Sequence, residues 1–159
     1  MAQAPIKGKR ISFLLQKVTE LGITEIVPII SERTVVRNVN IQRWQKIVEE
    51  ASKQSFRISI PKIKKEATFK EFIEDARYYT TKVILSPSGN VHIREFMESL
   101  SSPKDLVFLV GPEGGFTKGE LDYAKSLGFL EVSLGKRILR AETSPLVFLS
   151  ILEYKWGRL

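Results

Sequence analysis

Apolar positions along the chain follow two periods, and they divide it into helices and strands. Ile11, Leu14, Leu15, Val18 and Leu21 fall three and four residues apart, the spacing of a helix face, and Gly22 is its stop. Ile41, Trp44, Ile47, Val48 and Ala51 repeat that spacing in a second amphipathic helix. Between them EIVPII, residues 25–30, reads as a strand. Pro28 cannot donate a ladder hydrogen bond, so it predicts an edge position or a local irregularity. KVILSP at 82–87 is a short buried strand and IREFMESL at 93–100 a helix. LVFLV at 106–110 is an uninterrupted apolar strand, as expected where both faces of a sheet are covered. Thr117 followed by Glu120 is a capping box that starts a helix, and Gly128 ends it. LEVSL at 130–134 is the next strand. Ser144 as N-cap and Pro145 as first helical residue open a last helix running towards Trp156. AQAPIKG at 2–8 reads as the tail of a first strand plus its turn, which predicts a segment ahead of it. Strands alternating with helices predict an α/β fold: a mostly parallel sheet with helices on both faces.

Composition narrows the function classes. The 159 residues suit one domain, and the 43% hydrophobic share is that of an ordinary folded protein. No apolar run reaches the length of a membrane span, and MAQAPIKGKR lacks a secretory apolar stretch. The absence of cysteine removes disulfides, thiolate catalysis and cysteine-ligated metals, and a cytoplasmic location is the expectation. The single histidine, His92, has no second histidine nearby, so it reads as a surface residue and no metal is expected. The net charge of +7 is unevenly placed: residues 1–65 carry 13 Lys/Arg against 5 acids, residues 66–159 carry 12 against 13. A basic half joined to a neutral half points to a polyanionic partner on one surface, or to a solvated basic face.

The candidate chemistry lies in two strand-to-loop junctions, Val110 to Phe116 (VGPEGGF) and Leu134 to Thr143 (LGKRILRAET). Neither has the GxxxxGK[ST] spacing of a phosphate loop or the GxGxxG of a dinucleotide fold, and no GxSxG elbow occurs. In open α/β folds ligands sit beyond the carboxyl ends of strands, where both junctions belong. Their glycines would bare main-chain groups suited to an adenine edge and a ribose, with Ile138 and Leu139 as an apolar slot. Two plain turns with glycine at positive φ would account for the pattern equally well.

LVFLVGPEGGFTKGEL together with VSLGKRILRAETSPL resembles the cofactor-binding core of the SPOUT-class RNA methyltransferases. The closer resemblance is to the RsmE-type 16S ribosomal RNA uridine-N3 methyltransferases. QKVTELGITEIVPIISERTV at 16–35 and RWQKIVEEASKQSFRISIP at 43–61 extend it, so it runs in order through nearly the whole chain. It implies S-adenosylmethionine (S-adenosyl-L-methionine) as methyl donor, small-subunit ribosomal RNA as substrate, a homodimer and a C-terminal trefoil knot. It also implies one methyltransferase domain over residues 1–159, with the family's small N-terminal PUA-like domain absent from this chain. Carried onto matching positions, the donor site comprises Leu85, Gly111, Glu113, Gly114, Gly115, Leu134, Ile138, Leu139 and Arg140. AETSP stands where the family usually shows threonine-glutamate-threonine-alanine, and Pro145 suits a helix start there.

On this reading Arg140 is the catalytic candidate, a permanent cation for the uridine anion, with an ion pair to Glu142 as its structural alternative. Glu113 either orients its loop or hydrogen-bonds the cofactor, and Glu20 either approaches the site or lies on a solvated helix face. Arg33, Arg37, Lys53, Gln54 and Arg57 are the RNA-contact candidates, the cations acting on phosphates. Phe56 either stacks on an unpaired base or is buried in the core. Two other functions remain open at this stage: methyl transfer to a ribose 2′-hydroxyl or another base, and a non-catalytic RNA-binding or dimerisation module.

Overall fold

The computed structural model describes residues 1–156. Its eight strands are β1 (Ala2–Gln3), β2 (Glu25–Ile30), β3 (Lys62–Ile63), β4 (Ala67–Thr68), β5 (Thr81–Leu85), β6 (Val91–His92), β7 (Leu106–Val110) and β8 (Leu130–Ser133). Its six α-helices are α1 (Lys9–Glu20), α2 (Ile41–Gln54), α3 (Phe69–Asp75), α4 (Ile93–Ser99), α5 (Lys118–Ser126) and α6 (Thr143–Trp156). One parallel sheet runs β3-β2-β1-β7-β5-β8-β6, with β4 also paired to β2.

The apolar run of β7 is explained by two cores, one on each side of the sheet. Phe108 and Val110 face a cluster with Leu14, Leu15 and Val18 of α1, Phe96 of α4 and Phe148 of α6. Val107 and Leu109 face a second cluster with Phe69, Phe72 and Ile73 of α3, Ala124 of α5 and Phe129. Each fully buried side chain of this kind stabilises the fold by about 1.5–3 kcal/mol relative to exposure. Phe108 and Phe148 meet as tilted rings with centroids 4.9 Å apart, as aromatic pairs prefer.

Pro28 is not at an edge, since β2 has neighbours on both sides. Val27 N–H donates to Met1 on the β1 side, so position 28 turns its missing donor to the other side. There the pairing breaks between Ile26↔Ile63 and Ile29↔Ala67, and no donor is needed. The expected irregularity is present and the expected edge is not. Ser144 is likewise not an N-cap: α6 already begins at Thr143, and Ser144 Oγ donates to the Arg140 carbonyl at 3.2 Å. The capping box at Thr117 and Glu120 is present as read, and a second one, Thr68 with Glu71, starts α3.

In a parallel sheet all carboxyl ends lie together, so the loops after β5, β7 and β8 share one end of the molecule. Helix α1 leaves from that end, after β1. Its twelve residues carry its other terminus about 18 Å away, to the amino ends of the strands.

Candidate functional site

The loops after β5, β7 and β8 and the first turn of α1 enclose a cleft of about 550 Å³. That volume lies within the range of about 300–1,000 Å³ usual for small-molecule sites. All nine positions carried over as donor-site residues line it: Leu85, Gly111, Glu113, Gly114, Gly115, Leu134, Ile138, Leu139 and Arg140. The two junctions legible in the sequence therefore lie side by side. Gly115 adopts φ 68°, with no atom within 4 Å of where a Cβ would stand, so a side chain there is strained and would enter open space. Ile138 is 83% exposed, an apolar side chain on the rim with nothing of its own chain covering it.

The third wall is the loop Ser86-Pro87-Ser88, fixed from below by a buried carboxylate. Glu131 on β8 accepts from Ser88 Oγ at 3.0 Å and pairs with Lys125. Burial pushes the Glu131 carboxyl up, but the donors on Lys125, Ser86 and Ser88 outweigh that and hold it below its ordinary value. Gly89 closes the loop against β8. A Cβ there would stand 2.6 Å from the Ser133 nitrogen, so only glycine fits.

Arg10, which sequence reasoning did not single out, is the side chain that ties the site together. Its Nη2 bonds Glu113 Oε1 at 2.8 Å, and its Nη1 lies 3.8 Å from Glu142 Oε2. The other oxygen of Glu142 lies 3.9 Å from Arg140 Nη1. Glu142 thus sits buried between two guanidiniums, and its Oε2 has no hydrogen-bond partner. The Arg140–Glu142 contact is long and the Arg140 side chain is 78% exposed, so this arginine is held near the cleft with its donors free. A lone arginine one residue into a helix carries no motif; only its position after β1, opposite Glu113, could have marked it.

The RNA-contact candidates separate into two groups. Arg33 stands at the cleft, its Nη1 donating to the Gly114 carbonyl at 2.9 Å, and Arg37 is exposed on the same β2–α2 connection. Lys53, Gln54 and Arg57 are at the far end of α2, beside the last turn of α1. Lys53 and Gln54 are exposed. Arg57 is committed internally: Nη1 donates to the carbonyls of Thr19 and Ile23, both at 2.7 Å, which caps the end of α1. Phe56 is 93% exposed, so the buried reading of this residue does not hold. Glu20 lies on the solvated face of α1, paired with Lys17 at 2.8 Å. His92 is exposed and caps α4 by accepting from Arg94 N–H. Among the described residues no cluster of three His, Cys, Asp or Glu side chains could hold a metal, and no helix is long and apolar enough to cross a membrane.

Comparison with known proteins gives this geometry a context. The RNA methyltransferase domain family matches residues 1–153. The chain belongs to that family. Within it, the ribosomal RNA small subunit methyltransferase E of Mesomycoplasma hyopneumoniae is 34% identical over 157 residues, covering 94% of this chain and 66% of that protein. The enzyme of the same name from Synechocystis is 36% identical, covering 94% of this chain and 51% of that protein. The chain thus spans less than two thirds of these relatives' length. The crystal structure of a ribosomal RNA small subunit methyltransferase E from Neisseria gonorrhoeae, bound to S-adenosyl methionine, superposes with a TM-score of 0.88 at 39% identity. That match covers 96% of this chain and 64% of the other. The family's fold is the parallel α/β sheet described above.

Proposed function

We propose that this chain is an S-adenosylmethionine-dependent methyltransferase domain acting on N3 of a uridine in 16S ribosomal RNA of the small subunit. The observation that carries the reading is the convergence of the junctions at 111–116 and 134–143 on one cleft, in a member of the RNA methyltransferase domain family. The cleft has the chemistry the donor needs. The loops offer main-chain donors and acceptors for the adenine edge and ribose, and Leu85, Leu134 and Leu139 offer apolar surface to the ring. When bound, S-adenosylmethionine supplies an electrophilic methyl: the N3 lone pair forms the new bond to carbon as the carbon–sulfur pair returns to sulfur.

The protein's part is positioning and charge. Neutral uridine holds a proton at N3 and must lose it before that nitrogen can attack, which leaves negative charge on the base. Arg140, exposed at the cleft with free donors, stabilises that anion in this reading. Glu142 holds the Arg10 and Arg140 guanidiniums on its two sides, and Arg10 anchors the glycine loop through Glu113. Arg33 and Arg37 lie at the cleft end to receive flanking phosphates. A homodimer, a C-terminal trefoil knot and a cytoplasmic site of action belong to the same reading.

Calorimetry with S-adenosylmethionine tests the donor site. Micromolar binding is expected, weakened at least about tenfold in Gly115→Val, where a β-branched side chain is forced into left-handed backbone. A folded chain that binds no donor would point to a non-catalytic RNA-binding module. Mapping the methylated atom on small ribosomal subunits tests the acceptor. Methyl on a ribose 2′-oxygen would contradict the N3 assignment.

A further inference from the structure

The chain turns out of α2 through a corner built for glycine and occupied by phenylalanine. Phe56 N–H bonds the Lys53 carbonyl and Arg57 N–H bonds the Ser52 carbonyl, the paired bonds of a Schellman ending. The residue at its centre takes left-handed backbone, and Phe56 does so at φ 54°, the one non-glycine residue with positive φ among those described. A bulky side chain is disfavoured there, and no burial compensates for it, because the ring stands in water. Ile58 is fully exposed beside it and Ile60 about half so. The corner is nonetheless rigidly fastened: Arg57 locks to the Thr19 and Ile23 carbonyls, and Ser55 Oγ caps Ala51. Strain kept at a well-held, solvent-facing aromatic is the mark of a contact made with something else.

We propose that Phe56, flanked by Ile58 and Lys53, is a stacking platform for an unpaired RNA base, at the end of the molecule opposite the donor cleft. The proposal rests on the RNA-methyltransferase reading and adds a second, remote point of RNA contact. Charge favours this occupant: from Lys53 to Lys65 the chain carries five basic residues and no acidic one. Arg57 and Lys64 are engaged within the chain, while Lys53 and Lys62 are exposed at this end. A flat ring with nearby ammonium groups is the combination that holds single-stranded RNA, base on ring and phosphate on cation. A second copy of this chain is the poorer occupant, because three side chains fall well short of the roughly 800 Å² per partner that a stable interface buries.

The test is RNA affinity of the whole chain by fluorescence anisotropy, using a labelled single-stranded 12-nucleotide RNA of mixed sequence and a duplex of equal length, over a range of salt. Phe56→Gly, which suits the corner's backbone, is expected to weaken single-strand binding about tenfold. It should leave duplex binding and the slope of log K against log salt unchanged. Phe56→Trp should retain the affinity. Lys53→Gln should instead lower the slope by about 0.7, one phosphate contact. Wild-type affinity in Phe56→Gly, equal losses on single strand and duplex, or no RNA binding by the parent chain would overturn the platform. So would a parent that sediments as a dimer and a Phe56→Gly variant that sediments as a monomer, which would make the patch a self-contact. None of these readouts depends on donor binding, so calorimetry with S-adenosylmethionine still judges the enzyme reading separately.

Discussion

At the scale of single residues, backbone conformation and free donors say more than residue type. Phe56 occupies left-handed backbone with its ring in water, so its removal relieves strain without emptying a core. Phe56→Gly is therefore expected to raise unfolding stability by about 1 kcal/mol, read as a higher urea midpoint with unchanged slope. A lower midpoint would mean that the ring is packed in solution. Arg140 is the opposite case, a side chain that the fold barely uses. Arg140→Ala should leave stability and donor affinity within a few-fold of the parent while lowering methyl transfer about 10²-fold or more. Undiminished single-turnover rates would remove it from the reaction. Arg10 bonds Glu113 and faces Glu142, so Arg10→Ala should loosen the glycine loop and weaken the donor as well as slow transfer.

At the scale of elements, β8 supports the loop that follows β5. Glu131 ties Lys125 of α5 to Ser88 of the cleft wall from a buried position. Its carboxyl is held below its ordinary value of 4.5, so its stabilising contribution is present above that value and lost as pH falls through the lower folded value. Glu131→Gln should cost about 1–3 kcal/mol near neutral pH, with the gap to the parent closing as pH falls below the ordinary value of 4.5 and on through the lower folded one. A pH-independent gap would mean that packing rather than charge is responsible. Elements with strong periodicity and caps were legible in the sequence: α1, α2, β7 and the Thr117 capping box were read within a few residues. Two-residue strands such as β3, β4 and β6 were not, because they leave no period to read and exist only through pairing with β2 and β8. Helix α3 was passed over although Thr68 and Glu71 spell the same capping signal, since its apolar run, Phe69, Phe72 and Ile73, spans barely two turns. The junctions were legible because glycine marks them. Arg10 was not, because its role comes from β1 lying beside β7, a neighbourhood set by topology.

At the scale of the whole molecule, the parallel sheet separates two surfaces. Its carboxyl end carries the cleft, lined by Arg10 and Arg140, and the β2–α2 connection with Arg33 and Arg37. Its amino end carries Phe56, Lys53 and Lys62. The basic half of the sequence thus supplies cations to both ends, because α1 and α2 each run the length of the sheet. RNA reaching both ends of one copy must span about 18 Å, the length of α1. The proposed donor site is nevertheless local, two loops at the carboxyl end of the sheet. A crystal of this chain grown with S-adenosylmethionine tests it most directly. The adenosyl group is expected between residues 111–116 and 134–143, bonded to main-chain atoms of both, with Arg140 on the side of the transferable methyl. An empty cleft at saturating donor, or the donor bound elsewhere on the chain, would contradict it.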